Sequence, residues 1–232
     1  MSRYNAPHPW NLSPTEAIQL QKQLASQVIR EDQFKQVHYV AGVDVGFEDD
    51  NQTTRAAVAV LTYPDLELVE SAIARRPTEF PYIPGLLSFR EIPAVLDALN
   101  LLKQTPDLIL CDGQGIAHPR RLGIASHLGI ITNLPTIGVG KSRLTGKHGF
   151  VPTEKGEWTA LHDGDEIIGA VLRSRKGVKP IYVSIGHKIN LQTAIQYVKG
   201  CITRYKLPET TRWAHRLASG PELTELRSLT KS

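Results

Sequence analysis

Three strand-like segments follow one another near the start of this sequence, before any alternation of helix and strand begins. They span 39–47, 56–63 and 66–74, and short polar or proline-containing connections separate them. This spacing predicts an antiparallel meander. A helix over 94–103 and a short apolar run at 107–111 come next, and the latter is typical of a buried parallel strand.

The later segments extend this alternating order. They are a helix at 120–131, strands at 136–139, 166–172 and 181–185, and helices at 191–201 and 209–218. An antiparallel edge that continues into parallel strands favours an α/β, ribonuclease H-like three-layer fold, with a mixed sheet and flanking helices. A doubly wound fold would alternate from its first strand.

Neither a repeat nor a low-complexity linker divides the chain, so we expect a single domain over 1–232. Its parts would be an N-terminal helix at about 13–30, a core at about 39–205, and a C-terminal helix and tail at about 208–232. Ser13, Pro14 and Glu16 signal the first helix through a capping box with proline in the first turn.

The bulk properties are those of an ordinary globular protein with a mild basic excess. The net charge of +4 weakly favours a polyanionic partner such as nucleic acid. Two isolated cysteines, and the lack of a signal-like or membrane-length apolar run, lead us to expect a soluble, cytoplasmic protein. We expect it to be a monomer that binds no membrane.

Two acidic residues interrupt or end predicted central strands. Asp44 lies within the apolar run VAGVDVGF, and Asp112 ends DLILCDG at the carboxyl end of a parallel strand, where open α/β sheets place ligands. Each alone could be a turn or capping residue. Together they would repel each other unless a divalent cation lay between them, and oxygen ligands are those that Mg²⁺ prefers.

Glu91 has two interpretations. With Ser88 it matches a capping box, in which it would bond only a backbone amide. Pro93 argues against this, because it would then fall in the second helical turn and remove a hydrogen bond. A helix that starts near 92–93 would instead place Glu91 at its mouth, facing the sheet ends.

Two glycine-containing loops follow predicted strands. In DGQGIAHPRR, Gly113 and Gly115 permit close approach of the backbone to a ligand, while Gln114 lies between them and His118 adds polar reach. In TIGVGKS, the GKS ending suggests a phosphate loop, but the required first glycine is replaced by Pro135. We therefore reject nucleotide triphosphate binding and interpret Lys141 as a cation near the sheet ends.

A stiff apolar loop at 81–85 is the third candidate binding element. Its residues are Pro81, Tyr82, Ile83, Pro84 and Gly85. Such a segment can wedge into a base step and hold a nucleic-acid strand open. It could equally cover a satellite hydrophobic cluster.

The motifs VAGVDVGF, PYIPGLLSFRE, DGQGIAHPRRLGIASHLG and TIGVGKSRL, in this order, resemble endonuclease V, an inosine-specific repair nuclease family. The resemblance extends over about 39–186 and more loosely through the C-terminal helices. It implies incision at the second phosphodiester bond 3′ to a deaminated adenine in DNA, leaving a 3′-hydroxyl and a 5′-phosphate. Inosine in RNA is a second expected substrate.

The same resemblance implies roles for individual residues. Asp44, Glu91 and Asp112 would bind Mg²⁺, which Mn²⁺ can replace, and carry catalysis together with Lys141. The 81–85 loop would separate strands, and 113–115 with His118 would contact the substrate. His215, in the less distinctive stretch TRWAHR, is similar to a C-terminal active-site position. We also expected the amides of Gly113 and Gly115 to donate to O6 of hypoxanthine.

Three other functions compete with this interpretation. A non-catalytic nucleic-acid-binding module would have lost at least one of the acids, yet all three are present. An actin-like ATPase needs further phosphate and adenosine motifs that are not visible. A junction-resolving nuclease of the same fold is the nearest rival, and only its substrate would distinguish it.

Overall fold

An eight-stranded mixed sheet runs through the protein, whose computed structural model describes residues 2–220. The strands are β1 Tyr39–Glu48, β2 Thr53–Thr62, β3 Leu68–Pro77, β4 Leu108–Asp112, β5 Thr136–Gly140, β6 Trp158–Asp163, β7 Glu166–Leu172 and β8 Ile181–His187. The helices are α1 Pro14–Ala25, α2 Leu87–Leu101, α3 Ile124–Thr132, α4 Leu191–Gly200 and α5 Glu209–Ser219. None of these described helices is long and apolar enough to cross a membrane.

The strand order is β3-β2-β1-β4-β5-β8-β7-β6. The predicted meander is confirmed, because β1 and β3 both pair antiparallel with β2. Strand β1 is parallel to β4, and β4 is parallel to β5, so their carboxyl ends share one edge of the sheet. The other half is less parallel than expected, since β8, β7 and β6 join by antiparallel pairing.

Helices cover both faces of the sheet, which confirms the predicted three layers. Alternate side chains of β2 enter two separate cores. Ala57, Ala59 and Leu61 pack on the side of α4 and α5, and the intervening side chains pack on the side of α2 and α3. The carboxyl-end edge of β1, β4 and β5 is therefore flanked by α2 and α3 on one side and by α5 on the other.

The first helix begins as predicted but ends earlier. Ser13 and Glu16 form the reciprocal capping box. The helix ends at Ala25 instead of near residue 30. The backbone of Ile29 instead bonds to the end of β8, where its amide donates to His187 Nδ1 at 3.2 Å and its carbonyl accepts from Lys188 at 2.7 Å.

Helix α2 begins at Leu87, earlier than the predicted start near residue 92. Ser88 is inside the helix and forms no capping box, and Pro93 is tolerated in the helix interior. Leu86 and Phe89 are buried against α1, and this packing offsets the hydrogen bond that Pro93 cannot donate. The prediction that Glu91 lies at the helix mouth is therefore wrong, because it lies in the second turn.

Two further boundaries differ from the sequence-based expectation. Helix α3 begins at Ile124, because residues 120–123 form turns in which Arg121 has a positive φ of 58°. Strand β6 was not predicted. It lies at the edge of the sheet, where the alternation of WTALHD is weak and only one neighbour is needed.

Helix α5 packs unusually close to β1, and two glycines make this approach feasible. A Cβ atom on Gly42 would lie 2.0 Å from the carbonyl oxygen of Thr210, and one on Gly46 would lie 2.3 Å from that of Ala218. The glycines thereby set the distance between β1 and the helix that carries His215. The predicted tail after residue 220 lies outside the described residues.

We predict that Gly42→Ala destabilises the protein, because the added methyl group must push α5 away from β1. The free energy of unfolding should fall by about 1–3 kcal/mol, the usual cost of overpacking. Urea denaturation measures it. Gly149→Ala is the matched control, since a Cβ there meets no atom within 4 Å. Equal stability of the two variants would contradict the packing argument.

Candidate active site

Asp44, Asp112 and His215 meet at the carboxyl-end edge of the sheet, where their potential ligand atoms all lie within 4.8 Å of one another. The parallel register of β1 and β4 explains the pairing of the two acids. Val43 is opposite Cys111, so the next residue of each strand emerges at the same level. His215 reaches the acids from α5, and its Nδ1 lies 2.7 Å from Asp44 Oδ2.

Burial and like charge act together on Asp44. Its side chain is only 11% exposed. Burial raises the pKa of Asp44, and so does the charge of Asp112, while hydrogen bonds from His215 and from the amide of Val45 at 2.8 Å oppose the rise. The net pKa lies above the usual value, so the ionised form of Asp44 is disfavoured, first by burial and then by the charge of Asp112.

Glu91, from α2, lines a cleft together with Asp112, but it lies outside the group of Asp44, Asp112 and His215 described above. Burial, followed by the charges of Asp44 and Asp112, raises its pKa to about 8. Without a cation, the three acids therefore retain a proton near neutral pH. An arrangement in which carboxylates raise one another's pKa fits a divalent metal ion, because the cation would remove the repulsion and accept their oxygens as ligands.

Lys141 follows β5 and forms an ion pair with Asp112. Partial burial lowers the pKa of Lys141, but its hydrogen bond to Asp112 and the charges of Asp112 and Asp44 outweigh this, so the net pKa is raised. The ammonium group therefore stays charged beside the acids. It is available to neutralise an anionic substrate group.

A cleft of about 370 Å³ opens beside the acids on the side of α2 and α3. Its floor includes Glu91, Asp112 and Lys141, and the 81–85 loop contributes Tyr82 to one wall. Other residues that line the cleft include Pro84, Gly85, Gly113, Gln114 and His118. The volume lies within the range of small-molecule sites, which is about 300–1,000 Å³.

The 81–85 loop has both features that its sequence suggested, a contact with a satellite hydrophobic cluster and an exposed apolar residue. Ile83 packs against the satellite core formed by α1 with Phe80 and Phe89. Tyr82 next to it projects into solvent with 68% of its surface exposed. The buried neighbour thus anchors the exposed ring.

The carbonyl oxygen of Gly85 holds this loop in place. It accepts hydrogen bonds from Gln21 Nε2 at 2.9 Å, His118 Nε2 at 3.1 Å and Arg120 Nη2 at 2.7 Å. Gln21 also donates to the carbonyl of Leu122 at 3.1 Å. Sequence reasoning missed Gln21, although a glutamine on the apolar face of an amphipathic helix was the available signal.

His118 is a buried, neutral member of this network. Burial, with the charge of Arg120, lowers the pKa of His118 to about 4. Its Nδ1 accepts from the amide of Arg120 at 3.1 Å, which leaves the proton on Nε2 for the bond to Gly85. This geometry gives His118 a positioning role at the base of the loop.

The glycine loop after β4 is fastened to the sheet. The amide of Gly113 donates to the carbonyl of Val139 at 3.2 Å, and that of Gly115 donates to Ser184 Oγ at 2.8 Å. The expectation that these amides are free to read O6 of a base is therefore wrong. A Cβ on Gly115 would lie 1.9 Å from the carbonyl oxygen of Ile185, so close packing explains this glycine.

Gln114 connects the two loops at the sheet edge. Its Nε2 donates to the carbonyl of Ser142 at 3.0 Å, one residue beyond Lys141. A Cβ on Gly140 would lie 2.2 Å from the same nitrogen. Gln114 therefore fixes the segment that carries Lys141.

We predict that Glu91→Gln stabilises the metal-free protein in a pH-dependent way. The ordinary pKa of Glu91 is 4.5 and its pKa in the folded protein is about 8. At a pH between these two values, Glu91 is ionised in the unfolded chain and protonated in the folded protein, so the stability of the wild type falls as pH rises. Glutamine removes this loss, and the gain should reach about 1–3 kcal/mol at pH 8. Urea denaturation in EDTA at several pH values measures it.

Glu67→Gln, at an exposed position, is the control and should show no such trend. A Glu91→Gln effect that is equal at pH 5 and pH 8 would mean that Glu91 is not held protonated by its neighbours.

The comparisons with known proteins agree with this geometry. The family model for endonuclease V matches residues 22–216, which extends the resemblance through α5 and His215. The endonuclease V of Rippkaea orientalis is 66% identical, with 93% of each chain covered.

Solved structures show the same likeness. The endonuclease V of Streptomyces avermitilis has a TM-score of 0.87 at 40% identity, over 97% of this chain and 98% of that one. The endonuclease V of Ciona intestinalis, solved with a DNA that contains an inosine followed by a ribo-adenosine, has a TM-score of 0.78 at 31% identity, over 93% and 98%. The chain belongs to the endonuclease V family.

Proposed function

We propose that this nuclease incises DNA at the second phosphodiester bond 3′ to a deaminated adenine and leaves a 3′-hydroxyl and a 5′-phosphate. The observation that carries the proposal is the convergence of Asp44, Glu91, Asp112 and Lys141 beside a cleft whose wall bears the Tyr82 loop. The Ciona relative, bound to inosine-containing DNA, supports the substrate. Inosine in RNA presents the same base and is a second substrate of the same site.

Asp44, Glu91 and Asp112 would hold a divalent cation, Mg²⁺ or, in its place, Mn²⁺. Their fit to it rests on the ligand atoms of Asp44 and Asp112, which lie within 4.8 Å of one another, and on the burial and like charge that disfavour the ionised acids without a cation. When bound, such an ion polarises the phosphate and makes a coordinated water more acidic.

Lys141 and His215 complete the chemistry. The ammonium group of Lys141 offsets negative charge on the attacked phosphate, and Gln114 keeps its segment in place. His215 donates from Nδ1 to Asp44, which leaves Nε2 to accept a proton from the attacking water. The water oxygen bonds to phosphorus as the bond to O3′ breaks, and O3′ takes a proton from solvent to leave as the hydroxyl group.

The cleft would receive the flipped base while Tyr82 occupies the space in the duplex. Flipping costs least where pairing is already poor, as for hypoxanthine. Gly85 is held by Gln21, His118 and Arg120, so the loop enters the duplex as a rigid wedge.

We expect wild-type protein with Mg²⁺ to cut an end-labelled oligonucleotide at the second bond 3′ to its single inosine and to leave the matched adenine strand intact. Asp112→Asn should reduce the single-turnover rate by at least about 10²–10³-fold, as loss of a key electrostatic group does. Gel electrophoresis measures the rate and the position of cutting. Preferential cutting of branched DNA, with no incision near inosine, would instead identify a junction-resolving nuclease.

We predict that Tyr82→Ala weakens action on duplex inosine more than on single-stranded inosine, because only the duplex must be opened. The KM for the duplex should rise about 10-fold, since loss of a stacking ring costs about 1–3 kcal/mol. Steady-state kinetics on both substrates measure the ratio. Leu101→Ala, a similarly exposed apolar residue at 62%, is the control. A Tyr82→Ala loss that is equal on both substrates would rule out a wedge.

A further inference from the structure

Arginines stacked on aromatic rings line a groove of about 390 Å³ on the α5 side of the sheet. The guanidinium carbons of Arg212 and Arg204 lie 3.3 Å and 4.7 Å from the centre of the Tyr205 ring. That of Arg216 lies 5.3 Å from the centre of a Trp213 ring. These residues belong to α5 and to the segment that precedes it.

The groove leads to the active site. An adjoining cavity of about 360 Å³ is lined by Tyr205, Arg212 and Arg216 together with Lys206 and His215. His215 lines this cavity and bonds to Asp44, so the cavity ends one residue from the acids. The groove approaches the acids from the side of α5, whereas the cleft with Tyr82 approaches them from the side of α2 and α3.

The groove carries a surplus of positive charge. Among the residues that the structure describes, Glu209 is the one acidic residue lining the groove, and it already pairs with Arg212 at 2.6 Å. Within residues 2–220, Arg204, Lys206 and Arg216 have no carboxylate within 4 Å. Burial lowers the pKa of Lys206, and the positive charges of Lys179 and Lys141 act in the same direction.

Stacking determines what these arginines can bind. A guanidinium group that lies over a ring contacts the ring with its planar face. The N–H donors in the guanidinium plane stay free, and their geometry suits phosphate oxygens. The rings of Tyr205 and Trp213 are partly covered and offer less area to bases. The groove is therefore suited to a nucleic-acid backbone without regard to sequence.

We propose that this groove binds the phosphates of the substrate strand on the 3′ side of the scissile bond. This inference rests on the proposed function, because the position of the cut defines the direction of the strand. The inosine lies in the Tyr82 cleft, and the phosphate at the second bond on its 3′ side lies at the acids. Continuing in the 3′ direction, the strand leaves the acids toward His215. It then meets Lys206, Arg216 and Arg204.

The test compares wild-type protein with the double variant Arg204→Ala/Arg216→Ala, in which both positions are exposed. Lys35→Ala/Lys103→Ala is the control, because it removes the same charge from exposed positions. These positions precede β1 and β4, at the end of the sheet opposite the acids. The probes are single strands with one inosine, a constant 5′ arm, and 3′ arms from roughly 2 to roughly 10 nucleotides beyond the bond to be cut. Binding is measured in EDTA, so that the strands stay intact.

We expect affinity for the long 3′ arm to fall about 10-fold in the Arg204→Ala/Arg216→Ala variant, and affinity for the shortest arm to match wild type. The slope of log affinity against log salt should decrease by about 1.4, that is, about 0.7 for each lost phosphate contact. The control variant should follow wild type. Arg204→Lys/Arg216→Lys should restore most of the salt slope, which a purely structural role would not require.

A deficit that is independent of the length of the 3′ arm, or that equals the deficit of the control variant, would overturn the proposal. Cleavage of the same probes by wild-type protein with Mg²⁺ separates this failure from failure of the proposed function. Incision at inosine without any dependence on the 3′ arm would refute the groove alone. Absence of incision at inosine would refute the function itself.

Discussion

Repulsion among three carboxylates is the constraint on which the rest of this structure depends. Asp44 and Asp112 emerge side by side from parallel strands, and Glu91 approaches them from a helix, so burial and like charge raise the pKa of Asp44 and Glu91. Lys141 compensates part of this charge through its ion pair with Asp112, and His215 donates a hydrogen bond to Asp44. Such a site is costly to the metal-free fold, and under the proposed function a bound cation would offset that cost.

The fold holds these groups in place through close backbone packing. Gly42 lets α5 approach β1, and Gly115 lets the loop after β4 lie against β8. Both contacts bring a helix or loop nearer to the sheet edge than any side chain would permit. The site is thus positioned by the rigid centre of the sheet, which favours precise placement of catalytic groups.

The layered fold and the two aspartates could be predicted from the sequence because each depends on local pattern. Strand periodicity produces the meander, and an acid within or at the end of an apolar strand is visible by inspection. Glu91 was misplaced because the local signals at Ser88 and Pro93 conflict, and packing of Phe89 against α1 decides the helix start. Partners distant in sequence were harder to predict. The bonds of Gln21 to Gly85, and of Gly115 to Ser184, depend on tertiary contacts that no spacing reveals.

The acids lie between two surfaces of different character, and this arrangement gives the site its direction. On one side, an apolar loop with the exposed ring of Tyr82 is suited to contact bases. On the other, arginines whose faces are occupied by Tyr205 and Trp213 are suited to contact phosphates. Under the two proposals, base selection and backbone binding are separated in space, with the reacting phosphate between them. The substrate strand would then be selected by one base and bound in any sequence context, because the contacts beyond the cut would not read bases.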